Sequence, residues 1–367
     1  MIQQRDELVD SQAHAVALDC LTAGIEAADP ARLTRERVSV SGSTLTVGES
    51  TVSLDGVEEL TVLGGGKAAG VVAAELESIL CDRLDGGVIV TNSPVETERI
   101  EQLPGDHPVP GESSRNSSQR LLSAARDAGE ETLVMGVITG GGSALMAAPA
   151  DGLSLADLQS TTQSLLGSGA TIDEINAVRK HCSAIKGGQL AAAAAPARVE
   201  CLLISDVVGN DLGTVASGPF VPDESTYSEA LTVVDRYDCA VPEAVRQRLE
   251  AGAAGELAET PTPDSAVFDR VSTTLLGDNM VALRAAAESA RESGFEPLVL
   301  SSRVRGKARE AAKTQVAIAE EIRSTGEPLD PPAVVVSGGE TTVTVQGDGT
   351  GGPNQEFALS AGLELDA

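Results

Sequence analysis

The sequence predicts an α/β protein: a large Rossmann-like domain built on a parallel sheet, followed by a smaller α/β domain. Three observations carry this. A strand, a glycine turn and a helix follow one another in LTVLGGGKAAGVVAAELESIL and again in TLVMGVITGGGSALM. Strands alternating with helical patterns imply crossover connections and therefore parallel neighbours. The apolar runs GGVIVTN and CLLISDVVGND add two further strands, the second with a polar exit. Lastly, GAAGELAETPTPD, residues 252–264, mixes glycine, proline and acid without periodicity, which marks a connection. It separates an expected domain of residues 1–260 from one of residues 265–367.

Taken in order, residues 5–28 recur in apolar character at helical spacing, and Pro30 is expected to close that helix. RVSVSGSTLTVGESTVSL alternates with period two around glycines and reads as a short β-hairpin. After the first strand, turn and helix, GGVIVTN is a strand and residues 113–128 a helix. Residues 154–166 and 171–194 read as helices, and residues 228–251 as mixed helix and loop. Beyond residue 264 come a strand near 271–276, a helix at 280–293, a strand at 296–301 and a helix at 305–325. The hairpin AVVVSGGETTVTV and a helix beginning near Asn354 complete the pattern. No repeat of fixed period is present.

Composition narrows the function. The chain of 367 residues has 26 basic and 55 acidic residues, a formal charge of −29. That charge disfavours nucleic acid and other polyanionic partners. With 41% hydrophobic residues it describes a folded acidic protein, kept dispersed by self-repulsion, as suits a salt-rich cytoplasm of the haloarchaeal kind. Five scattered cysteines without a CxxC pair point to reduced thiols in the cytoplasm. No apolar run approaches the ~20 residues of a membrane span, and MIQQRDELVD lacks a signal-peptide pattern. A homo-oligomer is compatible with all of this. With two tyrosines, four phenylalanines and no tryptophan, a bound adenine would sit between aliphatic side chains.

In open parallel sheets ligands collect at the carboxyl ends of strands, so the turns that end apolar runs are the candidate sites. Gly64, Gly65 and Gly66 precede Lys67 in the first such turn. Gly140, Gly141, Gly142 and Ser143 form another, either an anion cradle at a helix N-terminus or a tight turn needing positive φ. Asp206 and Asp211 follow the strand CLLIS; each suits Mg²⁺ binding, acceptance of a hydroxyl proton, or a capping turn. Gly338, Gly339 and Glu340 follow AVVVS. In TIDEINAVRKHCSAIKGGQLA, Thr171 caps a helix, and Asn176, Arg179, Lys180, Ser183 and Lys186 are spaced so that several can align along one broad face, an anion contact in preference to a plain solvated helix face. His107 and His181 read as core or capping histidines, since no partner spacing marks a triad or metal site. Ser143 lacks the GxSxG elbow of a hydrolase.

Two ligands compete for the first turn. Gly64, Gly66 and Ala69 match a relaxed dinucleotide fingerprint, whereas Lys67 suits phosphoryl transfer. A nicotinamide site expects an acid at the end of the second strand, about 20 residues on. This chain has Thr91 and Asn92 there. A lysine about 4 Å from a phosphate charge contributes ~4 kcal/mol at an effective dielectric near 20, so Lys67 favours phosphoryl transfer. The Walker pattern GxxxxGK[ST] is absent.

With these residues in view, the chain resembles the glycerate 2-kinase family, whose C-terminal module is called the MOFRL domain. The matching stretches are VLGGGKAAG, DHPVPGESS, ITGGGSALMAAPADGLSLADL, INAVRKHCSAIKGGQLA, SDVVGNDLGTVASGP and VVVSGGETTVTVQGDGTGGPNQEFALS. They cover most of the chain in order. The resemblance implies transfer of the ATP γ-phosphoryl group to the 2-hydroxyl of D-glycerate, with Mg²⁺, in a cleft between a Rossmann-like domain and a MOFRL-like domain. It makes Lys67 the catalytic lysine; on that footing Asp206 or Asp211 is expected to hold the metal or orient the hydroxyl. Gly140 to Ser143, Arg179 and Lys186 would grip the carboxylate or phosphates. Gly64 to Gly66, Gly338, Gly339, Glu340 and Asn354 would line the nucleotide side.

Two departures are visible. Relatives commonly place an arginine thought to be catalytic where this chain has Pro353, and Arg303, Arg305 or Lys307 are the cations available to replace it. Relatives also continue beyond ALSAGLEL into a further strand and an aspartate- and glycine-rich loop, so either a truncated chain or an incomplete C-terminal domain is expected. These departures leave open a non-catalytic protein that binds glycerate or nucleotide, and the turn from Gly64 to Ala69 leaves open a hydroxypyruvate or tartronate reductase using NAD(P)H, a label often attached to relatives.

Overall fold

The computed structural model describes residues 2–344 and 349–365. Contacts divide the chain into two units, Leu33–Leu276 and Met1–Arg32 joined with Gly277–Ala367. The division falls after Leu276, not across residues 252–264 as expected, and the N-terminus sorts with the C-terminal unit. The reason lies in the packing of the glycine- and proline-rich segment. Thr260 is buried and bonds Asp223 at 2.9 Å, and the Asp223 N–H donates to the Pro261 carbonyl at 2.9 Å. The segment is therefore a strap on the larger unit.

The chain begins with α1 (Arg5–Leu8) and α2 (Gln12–Ala27). Pro30 does not close a helix; it opens α3 (Pro30–Arg37), where its missing N–H would be unpaired anyway. Next come β1 (Val38–Ser41), β2 (Thr44–Val47) and β3 (Ser50–Ser53), an antiparallel meander with one strand more than the expected hairpin because Gly48 supplies a second reversal. Val38, Leu45, Val47 and Val52 turn inward from it.

The larger unit continues with β4 (Glu59–Gly65), α4 (Ala69–Leu80), β5 (Gly86–Thr91), β6 (Ile100–Pro104), α5 (Glu112–Asp127), β7 (Thr132–Thr139) and α6 (Gly142–Leu145). Then follow α7 (Leu155–Ser168), α8 (Ile172–His181), α9 (Gln189–Ala194), β8 (Arg198–Ile204), α10 (Tyr227–Arg236), α11 (Glu243–Ala253) and β9 (Val271–Gly277). The sheet order is β6-β5-β4-β7-β8-β9, with parallel pairing from β6 through β8. This is the doubly wound order, and it reverses direction between β4 and β7. All eight residues of β7 are buried, as a sheet covered on both faces requires. Alternate residues feed opposite cores: Leu63 and Val90 meet Leu121 and Leu190, while Val62 and Ile89 meet Val72 and Leu76.

The expected helix at 171–194 is two helices. Thr171 and Glu174 form a reciprocal cap on α8, but Gly187 and Gly188, at φ +60° and +76°, hold a left-handed turn that separates α8 from α9.

In the smaller unit α12 (Asn279–Glu292), β10 (Glu296–Val304), α13 (Ala308–Thr325), β11 (Ala333–Gly339) and α14 (Pro353–Leu365) follow. β11 pairs in parallel with β10, so AVVVS is not the first arm of a hairpin. Thr342 makes one parallel bridge to Lys307, and Val345 of the expected second arm lies outside the described residues. Val16 and Cys20 of α2 pack with Ala286 and Ala290 of α12. All five cysteines are free thiols. Among the described residues no helix is long and apolar enough to cross a membrane.

Candidate active site

The reversal between β4 and β7 puts two glycine turns side by side. The Lys67 N–H donates to the Gly140 carbonyl at 2.9 Å, the Ala68 N–H to Thr139 Oγ1 at 3.1 Å, and Thr91 Oγ1 to the Lys67 carbonyl at 3.4 Å. Three strands thus fix the lysine backbone. Its side chain is exposed and runs along Gly141, where a Cβ would stand 2.8 Å from Lys67 Cγ and 3.0 Å from Cε. Among the described residues the Lys67 ammonium has no hydrogen-bond or ion-pair partner.

The glycines before it have another task than the one expected of them. Gly64, Gly65 and Gly66 are buried. A Cβ on Gly64 would collide with the Val137 carbonyl oxygen, one on Gly66 with Thr139 Oγ1, and one on Gly65 would stand 2.7 Å from the Val90 carbonyl oxygen. The Gly66 N–H already donates to Val90. They are bare so that neighbouring strands can close on β4, and they offer no open surface to a nucleotide. Gly338 and Gly339 share the crowding but not the burial, the first being half-buried and the second exposed: a Cβ on Gly338 would strike Asn279, and one on Gly339 the Val304 carbonyl. The Glu340 N–H donates to Val304. Asn354 is exposed in the first turn of α14, after Pro353, which serves as a helix-starting residue. These four belong to the smaller unit, as do exposed Arg303, Arg305 and Lys307.

The two aspartates part company. Asp206 leaves the end of β8 exposed, with its carboxylate against Gly140, so closely that a Cβ there would collide with it. Asp211 is committed to its own turn: Oδ1 accepts from the Gly213 N–H at 2.9 Å and Oδ2 from Thr214 Oγ1 at 2.8 Å. Among the described residues no group of three His, Cys, Asp or Glu could hold a metal. His107, read from sequence as a core or cap residue, is exposed on this face. Partial burial holds its imidazole below the usual range, Lys67 pushes the same way, and Asp206 opposes. Its loop is anchored by Asp106, whose N–H donates to Ser114 Oγ at 2.7 Å. The sequence signal available for it was the DHPVP stretch itself.

Behind the second turn, Ser143 Oγ lies 2.8 Å from Ser217 Oγ, which donates to Asn176 Oδ1 at 3.1 Å. Ala216 and Ser217 hold φ of +51° and +61°, a conformation costly for residues other than glycine and found where surroundings enforce it. Arg179 lies one turn beyond Asn176 on α8. Lys186 comes from the following loop, and its Nζ donates to the Met146 carbonyl at 2.9 Å. Burial, and then the charge of Arg179, bring Lys186 down to about 7; burial also lowers Arg179. The five residues do not share one face. Lys180 pairs with buried Asp223 at 3.0 Å, Ser183 Oγ caps the Ile185 and Lys186 N–H groups, and His181 is core, bonded to the Ala177 carbonyl and Glu259. Asn176, Arg179 and Lys186 remain around the turn.

Fold and site define a class: a doubly wound α/β protein whose exposed lysine, histidine and aspartate meet where the strand order reverses. The family described as Domain of unknown function (DUF4147) matches residues 16–250, and the MOFRL family matches residues 333–367. Glycerate 2-kinase of Pyrococcus horikoshii is 40% identical over 94% of this chain and 78% of its own length. A protein of Agrobacterium vitis named putative hydroxypyruvate reductase is 40% identical over 83% of this chain and 78% of its own. The crystal structure of glycerate kinase from Thermotoga maritima superposes with a TM-score of 0.80 at 34% identity, covering 96% of this chain and 80% of that one. The chain belongs to the glycerate 2-kinase family.

Proposed function

We propose that the protein phosphorylates D-glycerate to 2-phosphoglycerate with ATP. The observation that carries this reading is Lys67, an exposed ammonium without a protein partner among the described residues, at the switch point of the sheet and on the face shared by His107 and Asp206. Phosphoryl transfer requires a positioned acceptor and cations facing the transferred group. The acceptor oxygen forms a bond to the γ-phosphorus as the bridging P–O bond breaks and its electron pair leaves with ADP. Asp206, which has no hydrogen-bond partner among the described residues, orients the hydroxyl and receives its proton. Lys67 faces the charge of the moving group. Arg179 and Lys186 supply positive charge for an anionic group of the substrates. Mg²⁺ entering with ATP would neutralise phosphate charge, and exposed Asp206 is the carboxylate that would help to hold it. The test is formation of 2-phosphoglycerate, read through enolase; absence of product from D-glycerate and ATP overturns the reading.

The name of the Agrobacterium relative, putative hydroxypyruvate reductase, motivates the reductase reading. β5 ends in buried Thr91, whose hydroxyl is bonded to the Lys67 carbonyl, and then Asn92, so no acid awaits a ribose there. NADH absorbance should stay constant on mixing with hydroxypyruvate. Between the aspartates the expected results differ in kind. Asp206→Asn should lower kcat by about 10²–10⁴-fold, the contribution of a positioned base. Asp211→Ala should instead lower Tm, at about 1 kcal/mol per lost hydrogen bond, with kcat near wild type.

The charge of −29 fits an enzyme of a salt-rich cytoplasm. Raising KCl from about 0.1 M to about 1 M shortens the screening length from about 10 Å to about 3 Å. Tm should rise with it, by thermal denaturation at each salt.

A further inference from the structure

Arg179 and Lys186 are poorly explained as parts of a core. Lys186 is 6% exposed, yet of the three donors on its ammonium the structure satisfies one, through the Met146 carbonyl. The charged group acting on it is another cation, Arg179, and among the described residues neither forms an ion pair. A buried charge without a counter-charge is costly, and a like charge beside it adds to the cost. The neighbouring Lys180 shows the alternative, since it is paired with Asp223 at 3.0 Å. Met146 ends the short helix begun by Gly142, and Ser143 of that helix connects through Ser217 to Asn176, one turn before Arg179. The two cations therefore stand behind the turn whose Gly141 supports Lys67.

We infer that Arg179 and Lys186 together receive the carboxylate of the acceptor and select for its negative charge, so that an acid is phosphorylated far more efficiently than the same-shaped neutral amide. The inference rests on the kinase reading and chooses, among its anions, the acceptor carboxylate over the phosphates. The lowered position of Lys186 agrees with it: burial and the Arg179 charge disfavour its protonated form without ligand, and an entering carboxylate favours the charged form. Binding then takes up a proton.

The experiment compares D-glycerate with D-glyceramide in wild type, Lys186→Met, Lys186→Arg and Arg179→Gln. In Lys186→Met, kcat/KM for glycerate should fall by about 10²-fold, as for other truncated buried charge contacts. That for glyceramide should hardly change, so the preference for acid collapses. Lys186→Arg should restore part of it. Calorimetric titration of D-glycerate at pH 8 in two buffers of different ionisation heat should show proton uptake in wild type and none in Lys186→Met. An unchanged acid-to-amide ratio, or equal proton uptake in both proteins, overturns the inference. Should Lys186→Met fail to fold, Arg179→Gln decides by the same ratio. Should wild type give no phosphorylated product, the kinase reading fails, and the binding preference for D-glycerate over D-glyceramide still decides the subsite.

Discussion

Lys67→Ala is expected to lower kcat for glycerate phosphorylation by about 10³-fold with little change in Tm. An ammonium about 4 Å from a phosphate charge contributes ~4 kcal/mol at an effective dielectric near 20, and each 1.36 kcal/mol is about tenfold in rate. The fold should survive because the interactions that fix residue 67 are made by its backbone, through Gly140 and Thr91. The exposed side chain leaves no cavity when removed. If the ammonium acts chiefly on the transition state, kcat and kcat/KM fall together; a rise in KM alone would mean uniform binding of ATP. The enolase-coupled assay with a parallel thermal melt measures both. Full activity in the variant would remove Lys67 from the mechanism.

Gly64→Ala should have the opposite signature, a loss of fold. Beyond its collision with the Val137 carbonyl oxygen, a Cβ there would stand 2.8 Å from Val137 C and 2.9 Å from Val137 N, at φ +149°. These are backbone atoms of β7, which pairs with β4 along its whole length, so no side-chain rotation relieves them. Breaking that pairing at the centre of the sheet belongs with the exceptional substitutions that cost more than about 4 kcal/mol. For a unit of this size that lowers Tm by roughly 10 °C or more. Gly152→Ala is the control: its φ is +84° but nothing lies within 4 Å of the new Cβ, so about 1–2 kcal/mol for the left-handed backbone is all that is expected. Equal melts for the two variants would mean that β4 does not need a bare residue 64.

These two neighbours show how far the sequence was legible. The run LGGGK marked the end of a buried strand and picked out Lys67, because periodicity and glycine punctuation are local. It could not distribute roles among the glycines, since their partners, Val137 and Thr139, lie on a strand some 70 residues away in sequence. The same limit explains the helix read as continuous through residue 194: the apolar spacing persists while two glycines reverse the chain.

What the sequence by itself determined was therefore whatever depends on near neighbours: the alternation of strands and helices, the parallel sheet, the acidic surface, the run of family motifs and the unusual lysine. Tertiary structure alone decided which groups of like chemistry are already occupied. Asp211 is closed off by Thr214 while Asp206 stands open, Lys180 has Asp223 while Lys186 has only a carbonyl, and His107 leaves the list of core histidines to face Lys67. The physical reason is that a side chain's availability is set by the partners folding brings to it, and spacing along the chain records the donor or acceptor without its partner.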